Sequence, residues 1–582
     1  MEVGTQFSNV REFRNALRQH CIMNEFEVNY IKNDKFRVTA KCQKRDCPWR
    51  IHASVTQDKV TFKVKNLMKE HTCTSINKVG NEMASSGWLA SKIVSILHKT
   101  PELGASKMKM EIEQKYNLSL PYGRVLAARG KAVELIHGKA SDSFRLVPEL
   151  QQQLMQSNPG SIVKYLLDVD HSFMRFFVCL YACSQGFISG CRPFFGLDGC
   201  HLKGRYKGIL LSATSLDGNG NLFPLAFAVV ESESGETWKW FLEGLHEAIG
   251  MVEGLALMSD RDKGLEAAVL IVFPMAEHRT CVRHLYKNFK KKHPGELFEK
   301  PFWLCANSLN LVAFESHMME IKMASASAAA YLDAIKDQVW SRHQIWTAAM
   351  SHYLTNNISE SFNAWINKAR QIHIVELVDT IRGMIMVRMN HRRCLGKKWK
   401  GKLVSKAFRY VQQICKEKGS YIVRRSSDMR AEVVGPYYTC VVNLEDKTCS
   451  CRAWQVSGLS CEHAATFITS VRGLDISDFV DDCYSVQKFR SAYAIPVGAM
   501  PGKELWHRVK LPFVVGPPKT IRPRGRPKKK RIRDPNEKRK SRHKCTRCNQ
   551  FHHKNTCKNP IVESSSQGSA RETRLTLTAI SN

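Results

Sequence analysis

Acidic residues and long apolar runs are both scarce in this chain of 582 residues. The 53 Asp and Glu residues are outnumbered by 88 Lys and Arg residues, and the formal net charge is +35. This excess favours a polyanionic partner such as nucleic acid, because neutralising phosphates releases condensed counterions. The longest apolar run, around Leu222–Val230, is far shorter than the ~20 residues that span a bilayer, so we expect no membrane partner. Residues 1–20 lack an apolar h-region, and we therefore expect no secretory signal.

Cysteine, in contrast, is plentiful, with 20 residues in the chain. Without a secretory signal, such cysteines are more often reduced or bound to metal than paired in disulfides. The hydrophobic fraction of 43% is ordinary for a globular protein, and the length allows about four domains of ~150 residues. These bounds favour a multidomain, intracellular protein that acts on nucleic acid.

Apolar periodicity divides the first 140 residues into a strand-rich part, 1–75, and a helical part, 84–140. Strand-like alternation occurs at 36–41, 49–55 and 60–64. The spacing in the helical part predicts three helices that begin near Trp88, Ser106 and Tyr122. Three short helices with tight turns fit a helix-turn-helix, and they fit a helical spacer equally well.

The remaining chain changes pattern several times, which predicts an α+β multidomain protein. An α/β pattern covers 145–390 and is interrupted by a helical insertion at about 290–350. The segments that follow are a helical connector at 391–434, a small β-like unit at 435–475, a basic segment at 515–544, a cysteine-bearing segment at 545–557 and a polar end at 558–582. Few apolar residues and dense charge predict disorder in the tail.

Two groups of cysteine and histidine have the spacing of closed tetrahedral zinc sites. The first group is Cys42, Cys47, His71 and Cys73. The second group is Cys449, Cys451, Cys461 and His463. Thiolates and imidazoles in paired spacing suit a structural Zn²⁺, which would stabilise small domains with little core of their own. The alternative is buried free cysteine in a sheet.

A third cysteine group, in the tail, resembles a zinc knuckle, a compact unit that binds single strands or proteins. It contains Cys545, Cys548 and Cys557, with either His553 or His552 as the fourth ligand. His553 has the knuckle spacing from Cys548 but lies one residue too close to Cys557. His552 corrects the second spacing and spoils the first, so the choice of histidine stays open.

The basic segment contains a motif that is similar to an AT-hook. Between Lys519 and Lys544 there are 14 basic and 2 acidic residues. The motif itself is Arg524, Gly525, Arg526 and Pro527. This core can lie extended in the narrow A·T minor groove, where the negative potential favours arginine. The alternative is a solvated segment that binds any polyanion. Residues 527–533 also fit a nuclear import signal, so we expect a nuclear protein.

Three carboxylates mark the edges of predicted elements. Asp198 and Asp260 each end an apolar, strand-like run, and Glu360 opens an amphipathic stretch. Converging carboxylates without a thiolate or imidazole suit hard cations such as Mg²⁺ or Mn²⁺. Two such ions can activate an attacking oxygen and stabilise the leaving oxygen of a phosphodiester. Exposed acidic residues are common, and we expect three others to be loop residues: Asp217, Glu231 and Glu233.

Six short motifs between residues 194 and 366 match one known family. They are LDGCHLKG at 197–204, PLAFAVVE at 224–231, WKWF at 238–241, SDR at 259–261, CVRH at 281–284 and NISESFN at 357–363. Together they resemble the catalytic domain of Mutator-like element transposases. The first Cys/His group is similar to that family's zinc-bearing DNA-binding module, related to the WRKY and GCM folds, and the second resembles a SWIM zinc finger. The order of modules matches over most of residues 1–475.

The resemblance implies an RNase H-like fold with a helical insertion and a DDE triad of Asp198, Asp260 and Glu360. The aspartates would hold metal ions from neighbouring strand ends, and Glu360 would close the site from the helix after the insertion. Cys281 and His284 match the family's Cys-x2-His element, which would support the fold or the DNA near the site. The implied chemistry is nicking of double-stranded DNA at terminal inverted repeats, then attack of the freed 3′-hydroxyl on target DNA. We also expect a homo-oligomer on the DNA.

Two other functions stay open. A domesticated descendant would keep the fold and bind promoter sites as a transcription regulator without cutting DNA, as the family's plant regulators of far-red light signalling do. A general RNase H-type nuclease is a weaker alternative, because it does not account for the flanking DNA-targeting modules. An intact triad favours enzyme ancestry but does not decide present activity.

Overall fold

The computed structural model describes residues 1–73, 81–100, 103–260, 263–335, 338–416, 421–436 and 438–519. These residues combine α-helices with β-sheets, which confirms the expected mixed α+β class. In this part of the chain, no helix has the length and apolarity needed to cross a bilayer. The predicted AT-hook, the zinc-knuckle group and the polar end at 558–582 lie outside the described residues.

The amino-terminal module packs a sheet and several helices around one core. Its elements are β1 (Gln6–Phe7), α1 (Val10–Met23), β2 (Val28–Asn33), β3 (Arg37–Cys42), β4 (Arg50–Val55), β5 (Phe62–Met68), α2 (Ser86–Lys99), α3 (Ala105–Tyr116) and α4 (Tyr122–His137). The strands pair antiparallel in the order β1-β5-β4-β3-β2. The sequence analysis missed α1, which buries Phe13, Leu17 and Cys21 along one face. The same core continues into α2, α3 and α4, so the two amino-terminal parts fold around shared apolar contacts.

The largest sheet carries the predicted α/β pattern. Its elements are α5 (Ala140–Arg145), α6 (Val147–Ser157), β6 (Ile162–Leu167), β7 (Phe173–Cys179), α7 (Tyr181–Gly190), β8 (Cys191–His201), β9 (Ile209–Asp217), β10 (Leu222–Val230), α8 (Gly235–Ile249), β11 (Ala256–Ser259), α9 (Lys263–Val272) and β12 (Glu277–Thr280). The strand order is β12-β11-β8-β9-β10-β7-β6. Strands β8, β9 and β10 form an antiparallel meander, whereas β11 and β12 run parallel to β8. Strand β9 is buried along its whole length, which explains why its sequence does not alternate.

A helical insertion separates β12 from the helix that returns to the sheet. Its helices are α10 (Val282–Lys292), α11 (Glu299–Asn307), α12 (Leu311–Ala324) and α13 (Ala326–Asp333). Phe289, Phe302 and Trp340 stack in a core of its own. Helix α14 (Asn357–Trp365) then packs on β8 and β9, and α15 (Ile374–Lys398) and α16 (Ser405–Lys416) follow.

The second cysteine-bearing unit begins earlier in the chain than expected. Its elements are β13 (Ile422–Arg425), β14 (Arg430–Val434), β15 (Thr439–Asn443), β16 (Thr448–Cys449), α17 (Ala453–Ser457) and α18 (Glu462–Ser470). The strands pair antiparallel in the order β13-β14-β15-β16. The expected helical connector at 391–434 is therefore wrong beyond α16. In β14, Ala431 and Val433 are buried while Glu432 is exposed, which is the alternation of a half-buried strand.

The segment after this unit returns to the large sheet. Its helix α19 (Val486–Ala492) packs so closely against α7 that backbone atoms of the two helices are in contact. A Cβ at Gly186 would lie 2.3 Å from the carbonyl oxygen of Ala492, and one at Gly190 would lie 2.2 Å from that of Lys488. Glycine is required at both positions because any side chain would strike the α19 backbone. The sequence analysis assigned no structure to this segment, although it completes the main core.

Candidate active site and metal centres

Two neighbouring strands bring Asp198 and Asp260 together, with Asp198 near the carboxyl end of β8 and Asp260 directly after β11. Strands β8 and β11 are parallel, and Gly196 pairs with Met258. In the same register, two residues further on, Asp198 and Asp260 lie side by side at the carboxyl edge of the sheet. Neighbouring strands are ~4.8 Å apart, so the two carboxylates are within direct electrostatic reach of each other.

The Asp198 carboxyl is partly buried among negative charges. Its pKa is raised to about 6, first by burial and then by the charge of Asp260, with a smaller contribution from Glu233. The Gly199 amide opposes this shift, because it donates a 3.0 Å hydrogen bond to Asp198 Oδ1. A cation bound next to this carboxyl group would stabilise its ionised form and lower its pKa.

Helix α14 reaches the aspartates through two asparagines. Asn363 Nδ2 donates a 2.8 Å hydrogen bond to Asp198 Oδ2, and Asn356 Nδ2 donates a 2.7 Å bond to the carbonyl oxygen of Leu197. Glu360 lies one turn before Asn363 on the same face of the helix. Its Oε2 accepts a 2.8 Å bond from Arg283 Nη1, and both side chains of this ion pair are about half exposed, 43% and 51%.

Asp198 and Asp260 therefore adjoin each other, and Glu360, which pairs with Arg283, does not close a compact cluster with them. Among the residues that the structure describes, three or more candidate ligand atoms come within 4.8 Å of one another only in two Cys/His groups. The oxygens of Asp198, Asp260 and Glu360 are more widely spaced than that. The ion pair with Arg283 accounts for the outward position of Glu360.

Glu233 is a site residue that the sequence analysis missed. It lies in the loop between β10 and α8, as expected, but its carboxylate rests against β8. A Cβ at Gly199 would lie only 2.8 Å from Glu233 Oε1, so glycine makes room for this carboxylate next to Asp198. The strand pattern held the signal, because β8 and β10 are both antiparallel to β9 and thus end at the same sheet edge. Asp217, also expected in a loop, is instead the buried last residue of β9.

Cys281 and His284 contact each other at the start of α10. The Cys281 amide donates a 2.8 Å hydrogen bond to the carbonyl oxygen of Ser259, and its thiol accepts a 3.3 Å bond from the Asn356 amide. The hydrogen bond with Cys281 raises the pKa of His284, and the charges of Asp260 and Asp198 raise it further, against the effect of burial. A protonated His284 stabilises the ionised aspartates. The pair thus links β11, α10 and the start of α14 beside the carboxylates.

The amino-terminal Cys/His group converges as predicted. The ligand atoms of Cys42, Cys47, His71 and Cys73 all lie within 4.8 Å of one another. The Cys42 and Cys73 sulfurs are 3.7 Å apart, close to the about 3.8 Å that tetrahedral zinc–thiolate bonds of ~2.3 Å require. The rings of Phe26 and Trp49 pack against the His71 ring, at centroid distances of 4.2 and 5.5 Å. The group suits a structural zinc ion.

The second Cys/His group contains one cysteine more than predicted. The ligand atoms of Cys440, Cys449, Cys451 and His463 lie within 4.8 Å of one another, and the Cys461 thiol hydrogen-bonds to Cys449 and Cys451. Hydrogen bonds from the Cys449 and Cys461 thiols hold the pKa of Cys451 well below its usual range. A low pKa favours the thiolate that binds zinc. Cys440 was missed because it lies outside the paired motif, on the adjacent strand β15.

Comparisons with known proteins identify three modules. A family model described as MuDR family transposase matches residues 1–64, one described as MULE transposase domain matches 194–288, and one described as SWIM zinc finger matches 438–469. The chain therefore combines modules that occur in Mutator-like element transposases.

Individual relatives share only short stretches with the chain. Protein FAR1-RELATED SEQUENCE 5 of Arabidopsis thaliana is 29% identical over 119 residues, which are 19% of this chain and 15% of that protein. The PKS-NRPS hybrid synthetase cheA of Chaetomium globosum is 28% identical over 100 residues, 16% of this chain and 2% of that protein. The crystal structure of AFT2 in complex with DNA aligns with 23% of this chain and 94% of that chain at 15% identity, with a TM-score of 0.12. So low a TM-score supports no conclusion about the fold.

Proposed function

We propose that this protein binds double-stranded DNA and cuts and joins its phosphodiesters with divalent cations held by Asp198, Asp260 and Glu360. The observation that carries the proposal is the register of the parallel strands β8 and β11, which pairs Gly196 with Met258 and so brings Asp198 next to Asp260. The raised pKa of Asp198 supports it, because Asp260 contributes to the shift. Carboxylate oxygens suit Mg²⁺ or Mn²⁺. When bound, such ions would activate the attacking oxygen and stabilise the leaving oxygen.

The topology of the large sheet supports an RNase H-like core. That fold needs an antiparallel meander, here β8-β9-β10, followed by strands parallel to its first strand, here β11 and β12. Asp198 then lies near the carboxyl end of β8, and Asp260 directly follows β11. The helices after β12 correspond to the insertion that the family resemblance implies, and Glu360 approaches from α14, the first helix after it.

The surrounding side chains have distinct roles in this proposal. Asn363 holds one oxygen of Asp198 in place. Glu360 would exchange its partner Arg283 for a cation, which would free the Arg283 guanidinium to contact a DNA phosphate. In the absence of metal, a protonated His284 would offset part of the negative charge of Asp198 and Asp260.

The flanking modules would bring DNA to this site. Zinc at each Cys/His group would hold the amino-terminal module and the SWIM unit in their folded form. We propose that the AT-hook at 524–527 grips the minor groove, that residues 527–533 direct the protein to the nucleus, and that the protein acts as a homo-oligomer on its DNA.

The decisive experiment combines cleavage with metal binding. Full-length protein and Mn²⁺ or Mg²⁺ should nick or join duplexes that carry the inverted repeats flanking its own gene. Asp198→Asn should abolish this activity and weaken Mn²⁺ binding, measured by electron paramagnetic resonance, by ~100-fold, because the substitution removes one of only three charged ligands. Glu253→Gln is the matched control, because Glu253 is exposed in the turn before the opposite end of β11. Equal cleavage by wild type and Asp198→Asn would remove Asp198 from the mechanism.

A DNA-binding regulator without cleavage activity is the second candidate, and the outward position of Glu360 favours it. In that case the third carboxylate would stay with Arg283. Wild type would then bind duplex DNA and activate a reporter gene, but it would show no nicking at any Mn²⁺ concentration.

A further inference from the structure

A second charged cavity lies at the opposite end of β8 from Asp198. Its volume is about 320 Å³, and its walls come from the start of β8, the segment before α14, helix α16 and the SWIM unit. Four of its lining residues are basic: Arg192, Arg342, His352 and Lys406. Three others are tyrosines, Tyr353, Tyr410 and Tyr484. No carboxylate is among the described residues that line this cavity, which we call the basic pocket.

Arg192 forms the buried floor of the basic pocket. Its side chain is 3% exposed, and neither Nε nor Nη1 has a hydrogen-bond partner in the described structure. The guanidinium lies between two aromatic rings, 4.8 Å from the centroid of Tyr484 and 5.7 Å from that of Tyr353. The rings orient the charge but satisfy none of its N–H groups. A buried cation in this state is costly unless an anion pairs with it.

Two further polar atoms of the basic pocket also lack a hydrogen-bond partner. His352 Nδ1 and Arg342 Nε are buried and have no hydrogen-bond partner within the described chain. Burial lowers the pKa of His352 to about 4, and Arg192, Arg342 and Lys406 lower it further, so the imidazole is neutral at physiological pH. Several unpartnered polar atoms thus share a cavity whose charged lining residues, Arg192, Arg342 and Lys406, are all positive.

The nearest buried carboxylate does not complete this arrangement. Asp217 lies close enough to affect the pKa of Arg192, but its oxygens are engaged elsewhere. They accept hydrogen bonds from the amide and side chain of Asn221, at 2.8 to 3.1 Å, and from the Tyr493 hydroxyl, at 2.9 Å. The basic pocket therefore keeps its surplus of positive charge.

We propose that the basic pocket binds a small, soluble, phosphate-bearing anion that fastens the SWIM unit to the core. Guanidinium groups match phosphate oxygens in charge and geometry, with paired N–H donors. The volume falls at the small end of the range of ligand cavities, and Lys406 at the exposed rim provides an entry point. A DNA duplex is too wide to reach the Arg192 floor. The pocket is also separate from the carboxylates, since six residues of β8 span roughly 20 Å.

Calorimetric titration of the full-length protein tests the proposal. The probes are inositol hexakisphosphate and, separately, inorganic phosphate, at an ionic strength of about 0.15 M to screen weak attraction to the basic tail. We expect saturable binding of one inositol hexakisphosphate per chain, weaker binding of phosphate at the same site, and a higher melting temperature with either probe. Lys406→Gln should weaken binding about tenfold, and Arg192→Met should abolish it.

The control is Lys416→Gln, which makes the same charge change at the exposed end of α16, outside the pocket. Arg192→Met should also leave the ligand-free protein at least as stable as wild type, because it removes an unpaired buried charge. If that variant fails to fold, Lys406→Gln and Arg342→Gln carry the test. Absence of saturable binding, or equal affinity in wild type and the pocket variants, overturns the proposal. Weaker duplex binding by Lys406→Gln with no small-anion binding overturns it too, in favour of a DNA phosphate.

Discussion

The two ends of strand β8 carry side chains of opposite charge. At the carboxyl end, Asp198 lies beside Asp260 and under the carboxylate of Glu233. At the amino end, Arg192 lies buried with unsatisfied N–H groups beneath Lys406. One strand thus has clustered carboxylates near its carboxyl end and a buried arginine near its amino end.

A third charged position in the same sheet shows what a self-sufficient arrangement looks like. Glu277 and Arg279 on β12 are each 1% exposed and form an ion pair at 2.5 Å. The Glu277 carboxylate also accepts a hydrogen bond from the Trp346 amide. Arg279 also donates a hydrogen bond to the carbonyl oxygen of Ser351. This pair needs no ligand to satisfy it. The contrast agrees with the two proposals, a cation at the carboxyl end of β8 and an anion at its amino end, whereas the pair on β12 belongs to the fold.

Loss of the SWIM zinc should have the largest effect, because it should abolish anion binding at the amino end of β8 and leave Mn²⁺ binding at the carboxyl end unchanged. The SWIM residues Ala453, Val456 and Leu459 line the basic pocket, and a structural zinc contributes ~10–16 kcal/mol to small zinc domains. We expect Cys451→Ser to lose one zinc per chain in native mass spectrometry and to abolish inositol hexakisphosphate binding, with Mn²⁺ binding unchanged.

The control for this change is Cys394→Ser, at an exposed cysteine of α15, which should behave like wild type in all three measurements. Intact anion binding by Cys451→Ser would show that the pocket does not depend on the zinc unit. Loss of Mn²⁺ binding as well would show that the two ends of β8 are not independent.

The pH dependence of stability should report the negative end when wild type is compared with Asp198→Asn, because His352 at the other end also titrates in this range and does so in both proteins. The folded pKa of Asp198 is about 6, above an unfolded value of about 3.9. The folded state therefore holds this proton more tightly, and the free energy of unfolding should fall as pH rises from about 4 to 6, by up to ~3 kcal/mol. Denaturant titrations of the metal-free proteins should show this contribution as a difference: from about pH 4 to 6, the free energy of unfolding of wild type should fall relative to that of Asp198→Asn. Parallel curves for the two proteins would contradict the assigned environment.

The smallest expected effect concerns the third carboxylate. Arg283→Gln removes the partner of Glu360, and because exposed ion pairs contribute only ~0–1 kcal/mol, we expect Mn²⁺ affinity to rise about two- to fivefold. Lys287→Gln, one turn further along α10 and also exposed, is the matched control. A lower Mn²⁺ affinity in Arg283→Gln would mean that the arginine positions Glu360 for the metal rather than withholding it.

Local pattern was enough to predict much of this architecture. Strands β3, β4 and β5 and the three helices α2, α3 and α4 follow from alternation and periodicity, since their apolar side chains meet one continuous core. The amino-terminal Cys/His group followed from spacing, because a hairpin brings sequence neighbours together. The resemblance to a known family then supplied the order of the modules.

Contacts between residues far apart in the chain could not be predicted from local sequence patterns. Glu233 and Asn363 join the aspartates only because the strand order and α14 bring them there, and neither lies in a motif of its own. Cys440 faces the zinc ligands from a neighbouring strand. The basic pocket draws Arg192 and Lys406 from positions more than two hundred residues apart, and no local pattern links them.

The backbone contact of Gly186 and Gly190 with α19 has a practical meaning for anyone who shortens this protein. The zinc finger near residue 450 is not an appendage at the end of the folded region, since the chain leaves it and returns to lie on α7. A version that stops just after α18 would strip a layer from the interior and expose apolar surface beside the largest sheet. The natural stopping point for such a fragment lies near residue 519, beyond the pairing of Gly516 with Ser172.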